Sequence, residues 1–275
     1  SNIATVSNTG IVTAQGPGTT YIELKDEQKE IIAKIKINVN GKGNETAAKI
    51  VGGAYHFVSL KGNGTVWSWG YNKTGELGVG DNTNKTKPTQ AIAEVEQSDG
   101  SKVDQKIEDA IDIAAGANQT LILRKDGTVW ATGYNNKGQL GDGTTTTTNK
   151  FHKVKGPNGE GYLQNIVQIA AENNTSHALT SDGSVYSWGY NYYSQFGINK
   201  GTGEDANPYP VKMQKVTNIV QMTGGENHLI MLDADGSIWT TGLNSNGQLG
   251  KNNTVNSAVP QQMLDTNGNI IYGIK

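Results

Sequence analysis

The sequence predicts an all-β chain in which four copies of one antiparallel unit pack radially behind a short, separate β segment. Three observations carry this: a block of fixed spacing occurring four times, a turn dipeptide at the same place in each copy, and alternating apolar residues beside it. Taking Gly64, Gly127, Gly183 and Gly236 as anchors, a second glycine follows six residues on, at Gly70, Gly133, Gly189 and Gly242. An apolar residue and a glycine then follow at offsets 13 and 14: Leu77-Gly78, Leu140-Gly141, Phe196-Gly197 and Leu249-Gly250. The anchors lie 63, 56 and 53 residues apart, so length varies only between blocks. Constant blocks joined by variable links define an array of supersecondary units.

Each block justifies its own strands. Asn63-Gly64, Asp126-Gly127, Asp182-Gly183 and Asp235-Gly236 are dipeptides suited to a two-residue type I′ hairpin turn. After the turn, Val66, Val129, Val185 and Ile238 point to one side, and Trp67, Trp130, Tyr186 and Trp239 to the other. Before it stand Phe57 to Leu60, Leu121 to Leu123, Ala178-Leu179 and Leu229 to Leu232, the partner strands. An inner strand is expected further upstream, with apolar residues at offsets −16 and −14: Ala48 and Ile50, Ile111 and Ile113, Val167 and Ile169, Val220 and Met222. It runs into small residues, Gly52-Gly53, Ala115-Gly116, Ala171 and Gly224-Gly225, which permit close backbone approach at one end of each unit.

The run from Gly52-Gly53 through His56 and Leu60 to "GTVWSWGYNKTGELGVG", returning in all four registers, resembles the regulator of chromosome condensation repeat. The resemblance covers residues 46 to 275 and implies β-propeller blades of four strands, commonly seven to a ring. Four full blades and the start of a fifth at Tyr272 and Ile274 imply a partial or open propeller, with both chain ends falling inside a motif. Unpaired blade edges would favour self-association.

Residues 1 to 40 form short alternating segments split by Asn-Thr-Gly and Gly-Pro-Gly, which read as strand, turn, strand. Ile3 to Val6, Gly10 to Ala14 and Gly18 to Ile22 resemble the C-terminal half of a group 2 bacterial immunoglobulin-like domain. Residues 41 to 45 are a polar, glycine-rich linker before the repeats. The links within the repeats, 79 to 106, 142 to 162 and 198 to 216, read as loops suited to recognition.

Composition narrows the chemistry. A net charge of −2, from 23 basic and 25 acidic residues without a basic run, argues against nucleic acid. No apolar run approaches the roughly 20 residues that span a bilayer, so membrane insertion is not expected. Cysteine is absent, which excludes disulfides and thiolate chemistry.

His56 and His228 share a repeat position with Gln119 and Thr175, so they read as polar side chains bonded to backbone within their own blade rather than as ligands. His177, where Val58, Leu121 and Ile230 stand, reads as packed. Asp81 and Asp142 lie in loops with too few carboxylates for calcium, and Glu172, Glu226 and Asp182 make a poor glycosidase pair. No catalytic residue, cofactor or metal is expected.

Tyr71, Tyr134 and Tyr190 recur at offset seven, with Tyr192, Tyr193 and Tyr209 in variable segments. They pack over the turns that Asn72, Asn135, Asn191 and Asn244 close, or they meet a partner protein or sugar ring on a rim. The sequence thus reads as a non-catalytic binding scaffold recognising a protein or cell-surface glycan through its inter-blade loops. The immunoglobulin-like resemblance implies a bacterial secreted or wall-exposed protein. Alternatives are a protein inhibitor or exchange-factor-like regulator and, less favoured, a glycan-processing enzyme.

Overall fold

The structure is a computed structural model that describes residues 46–199, 203 and 205–274, together with the backbone of four strands between residues 4 and 39. Contacts divide the chain into Ser1–Ala47 and Ala48–Lys275. In the first part β1 (Ala4–Val6) pairs antiparallel with β2 (Val12–Ala14), and β3 (Gly18–Lys25) with β4 (Ile31–Val39). The turns needed for the immunoglobulin-like pattern, and the joint at 41 to 45, lie outside the described residues.

In the second part, four sheets follow one another among the described residues. Blade one is β5 (Lys49–Gly52), β6 (His56–Leu60), β7 (Val66–Gly70) and β8 (Lys85–Gln90). A hairpin of β9 (Ile92–Glu96) and β10 (Lys102–Lys106) comes next. Blade two is β11 (Ala110–Ala115), β12 (Gln119–Arg124), β13 (Val129–Gly133) and β14 (Thr148–Lys153). Blade three is β15 (Ile166–Ala171), β16 (Thr175–Thr180), β17 (Val185–Gly189) and β18 (Val211–Lys212). Blade four is β19 (Ile219–Gly224), β20 (His228–Asp233), β21 (Ile238–Gly242) and β22 (Ser257–Gln262).

Alternation along each strand feeds two seams. Val58, Leu60 and Val66 of blade one join Ile113, Ile122 and Trp130 of blade two in one core. Leu121, Leu123 and Val129, on the opposite face of blade two, join Ile169, Ala178 and Trp188 of blade three. Leu179 and Val185 join Met222, Leu229 and Met231. Each such side chain contributes about 2 kcal/mol by leaving water, so the seams hold the blades in order. The other face of blade one is exposed: Ile50 is 64% exposed where Ile113 is 0%.

Two local expectations are corrected. The anchor turns are not type I′: Gly64 N–H donates to Lys61 O and Lys61 N–H to Thr65 O, and Gly64 has φ +82° while Asn63 stays out of the left-handed region. This is a type I turn closed by a left-handed glycine. Asn63 Oδ1 accepts from Thr65 N–H, and Asp126 and Asp182 repeat the bond with Thr128 and Ser184. The inner strands also bulge: Ala110 pairs with Arg124 but Asp112 with Leu123, and the same slip occurs at Ile166/Gln168 and Ile219/Gln221. The extra residues, Ile111, Val167 and Val220, are 37%, 54% and 55% exposed instead of packed, because a bulge reverses the alternation.

The links are more ordered than loops. Strands β8, β14 and β18 are drawn from them, and β9–β10 extends blade two to the order β10-β9-β14-β13-β12-β11. Small hairpins close through the bridges Lys155–Tyr162 and Leu264–Ile270. The tips of these two are Asn158-Gly159 and Asn267-Gly268, and that of β9–β10 is Asp99-Gly100, the same kind of dipeptide that marks the anchors.

Candidate functional site: the tyrosine rim and the buried polar seams

The Trp-Gly end of each blade is fixed by a fully buried asparagine. The Oδ1 atoms of Asn72, Asn135, Asn191 and Asn244 accept from the N–H of Leu77, Leu140, Phe196 and Leu249 at 2.9–3.0 Å. Asn135 Nδ2 donates to the carbonyls of Thr144 and Thr146, and Asn244 Nδ2 to those of Asn253 and Val255. The main chain one residue earlier is held as well: Tyr71, Tyr134, Tyr190 and Leu243 donate to the carbonyls of Tyr55, Asn118, Asn174 and Asn227. The offset-seven tyrosines therefore leave from a rigid platform.

From that platform the rings part company. Tyr190 and Tyr192 stack with centroids 6.0 Å apart and planes 5° apart, and Tyr193 meets Tyr192 edge-on at 5.0 Å. Lys137 Nζ lies 5.7 Å from the Tyr190 ring, and Tyr192 is 50% exposed. Tyr71 instead faces Tyr55 at 6.3 Å, a ring the sequence pattern had not singled out. Tyr134 is half-buried, and among the described residues no ring contact joins it to the cluster. Tyr209 lies over Gly143 and Gly159, where a Cβ at either would come within 2.9 Å of its ring. Three of the six candidate tyrosines thus form one aromatic surface.

The polar residues inside the seams are structural, though not as the pattern suggested. His56 bonds the next blade rather than its own backbone: Nε2 lies 3.0 Å from Thr120 Oγ1, which itself donates to Glu76 O, so the histidine is the donor. Burial lowers its pKa to about 4. Gln119 Nε2 likewise crosses to the carbonyl of Glu172. His177 is buried but not merely packed: Nδ1 lies 2.8 Å from Ser187 Oγ and Nε2 lies 3.2 Å from Glu172 Oε1. Burial pushes the Glu172 carboxyl up, opposed by His177. With both side chains fully enclosed, this Ser-His-Glu line has no access to substrate.

Of the remaining acidic candidates Glu226 is exposed, and Asp81, Asp142 and Asp182 are spent on turns. Asp81 accepts from Thr83 N–H and Lys85 Nζ, the latter holding its carboxyl below the usual range. Asp142 accepts from Thr144 N–H, and Asp182 from Ser184 N–H. Among the described residues no group of three or more His, Asp or Glu side chains is placed to hold a metal ion.

Four antiparallel sheets stacked face to face in chain order, each closed by a buried asparagine, define a β-propeller repeat protein whose variable surface is its rims and links. All four blocks match the regulator of chromosome condensation (RCC1) repeat, at residues 63–123, 126–179, 182–232 and 235–274, and the chain belongs to that family. It is 28% identical over 214 residues to the ultraviolet-B receptor UVR8 of Arabidopsis thaliana, covering 77% of this chain and 44% of that protein. It is 36% identical over 155 residues to the human X-linked retinitis pigmentosa GTPase regulator, covering 56% of this chain and 14% of that protein. The chain therefore spans less than half the length of these relatives. Its fold matches that of yeast RCC1 (Prp20), solved bound to Kap60, with a TM-score of 0.62 at 21% identity, covering 89% of this chain and 54% of that one.

Proposed function

We infer that the chain is a non-catalytic, protein-binding regulatory propeller, and that its partner meets the rim formed by Tyr190, Tyr192 and Tyr193. The observation that carries this is the stacked, half-exposed Tyr192 on a backbone fixed from beneath by Asn191. Rigid aromatic rings offer large contact area at little entropic cost, the character of an interface anchor. Relatives described as a GTPase regulator, and a related propeller solved with Kap60, support a protein partner over a glycan. The exposed face of blade one, with Phe57 stacked on Trp69 at 5.8 Å, suits self-association. Residence outside a bacterial cell belongs to this reading through the immunoglobulin-like resemblance of residues 3 to 22.

The test is photo-crosslinking from position 192 in the source cell, followed by affinity measurement with the captured protein. Tyr192→Ala is expected to weaken binding about tenfold or more, while melting stays within about 0.5 kcal/mol of the parent. Undiminished binding by the Ala variant, or capture of glycan alone, would overturn the assignment.

A further inference from the structure

The rim turn of each blade carries one side chain at a fixed repeat position: Glu76, Gln139, Gln195 and Gln248. In all four an oxygen of that side chain accepts from the main-chain N–H two residues earlier, that of Thr74, Lys137, Tyr193 and Asn246, at 2.9–3.0 Å. The other atom of the group sets blade one apart. Gln139 Nε2 donates across the next seam to Asn174 Oδ1 at 3.0 Å, and Gln195 Nε2 donates to Thr175 Oγ1 at 3.2 Å. Glu76 has an oxygen where those glutamines have an amide nitrogen, and that atom, Oε1, is buried with no hydrogen-bond partner among the described residues.

The turn that carries Glu76 is wedged against blade two. Thr120 Oγ1 donates to Glu76 O at 2.7 Å and Thr132 Oγ1 to Gly75 O at 3.0 Å, and a Cβ on Gly75 would run into Thr148 O. A carboxylate in that place has no donor to offset its lost hydration at Oε1, whereas a neutral acid carries an O–H there and can donate as the amides do. Asn118 of blade two stands at the repeat position of Asn174. Burial raises the Glu76 pKa, opposed by hydrogen bonds from its own main chain and from Thr74, and no charged neighbour contributes. On β6 the titratable group in the same network is His56, which reaches Glu76 O through Thr120, while β12 and β13 of blade two meet the turn with Thr120 and Thr132, which do not titrate.

We propose that Glu76 is a proton-operated latch on the seam between blades one and two: as a neutral acid it holds the rim turn of blade one against blade two, and as a carboxylate it releases that turn. Because the fold favours the neutral form, the latch is closed at low pH and opens as pH rises through its folded-state value. Glutamine at the same position leaves the other three rim turns without this response. The latch lies in the blade that carries Tyr71, so it does not depend on the assignment made at Tyr192.

The experiment follows amide hydrogen exchange in the intact chain across a pH series, comparing Leu77 with Leu140, the same position in the turn that has glutamine. The ratio of the two opening constants is expected to rise about tenfold or more as pH climbs through the Glu76 titration. Glu76→Gln is expected to abolish that rise and to melt above the parent on the alkaline side, with the gap closing as pH falls. His56→Gln is expected to leave the rise in place. A carbon-13 NMR titration of the parent's glutamate carboxyls, with the Glu76 signal identified by its loss in Glu76→Gln, is expected to show that group titrating above the ordinary glutamate range; this readout needs only the parent to be folded across the titration. A ratio that stays constant with pH in the parent, the same rise in Glu76→Gln, its disappearance in His56→Gln, or a Glu76 carboxyl titrating at or below the ordinary range would each overturn the proposal.

Discussion

The seam between blades one and two and the seam between blades three and four solve one crowding problem with opposite chemistry. At the first, Gly53 leaves room for His56, whose Cε1 would lie 2.1 Å from a Cβ there, and His56 crosses to Thr120. In the third blade the smaller Thr175 takes the place of His56, Glu172 the place of Gly53, and His177 the place of Val58. The carboxylate then fills the space beside Gly224 of blade four, where a Cβ would come within 2.4 Å of Glu172 Cγ. Three substitutions act as one: the glycine stands where its neighbour is a long polar side chain, His56, Gln119 or His228, and gives way where that neighbour is Thr175, and the buried acid is tolerable only with a histidine at its side.

The largest effect should come from breaking the second arrangement. His177→Val alone leaves Glu172 buried without its partner and is expected to cost about 4 kcal/mol in denaturant unfolding. Adding Glu172→Gly and Thr175→His, which rebuilds the first seam's set, should recover most of it. If the single variant is as stable as the parent, the pair contributes nothing and the contrast between the seams fails.

Titration sharpens the comparison next. His56 is neutral in the fold with its pKa lowered to about 4 from 6.5. Its contribution is therefore present above pH 6.5 and lost as pH falls toward 4, amounting to about 3 kcal/mol across that window. Glu172 has the opposite sign, since a raised carboxyl pKa favours the fold at low pH and the benefit declines as pH rises. His56→Gln, which copies Gln119 of blade two, should flatten the acid limb of stability against pH, measured by urea melts between pH 7 and 4. An unchanged limb would remove His56 from the account.

A smaller effect tests what all blades share. Asn135→Ala strips one carbonyl acceptor and two or more donor bonds from a buried turn and is expected to cost about 2 kcal/mol. Thermal melting of that variant beside Asn72→Ala would show whether the staple is equally important in the blade that has an exposed face.

Much of this fold was readable because its information is local. Glycine spacing, Asn/Asp-Gly dipeptides and two-residue alternation each report on a few neighbouring backbone angles, so they placed the hairpins and both strands beside them. The same rule applied to Asp99-Gly100, Asn158-Gly159 and Asn267-Gly268 would have found the hairpins hidden in the links. The bulges at Ile111, Val167 and Val220 were not readable, since one unpaired residue inverts the alternation without changing composition. Nor was the gathering of Tyr190, Tyr192 and Tyr193 apart from Tyr71, Tyr134 and Tyr209, because rotamers on a rim answer to neighbours far along the chain.

By itself, then, the sequence determined the repeat, its four antiparallel units and the order in which they stack, because a periodic pattern of turns and apolar faces admits few other ways to bury itself. Only the tertiary structure decided which polar groups meet across a seam, that His177 faces Glu172, and that the first link folds into a hairpin against blade two. Those pairings join residues from different strands and blades, and their energies depend on distance and desolvation, quantities that exist only once the sheets are packed.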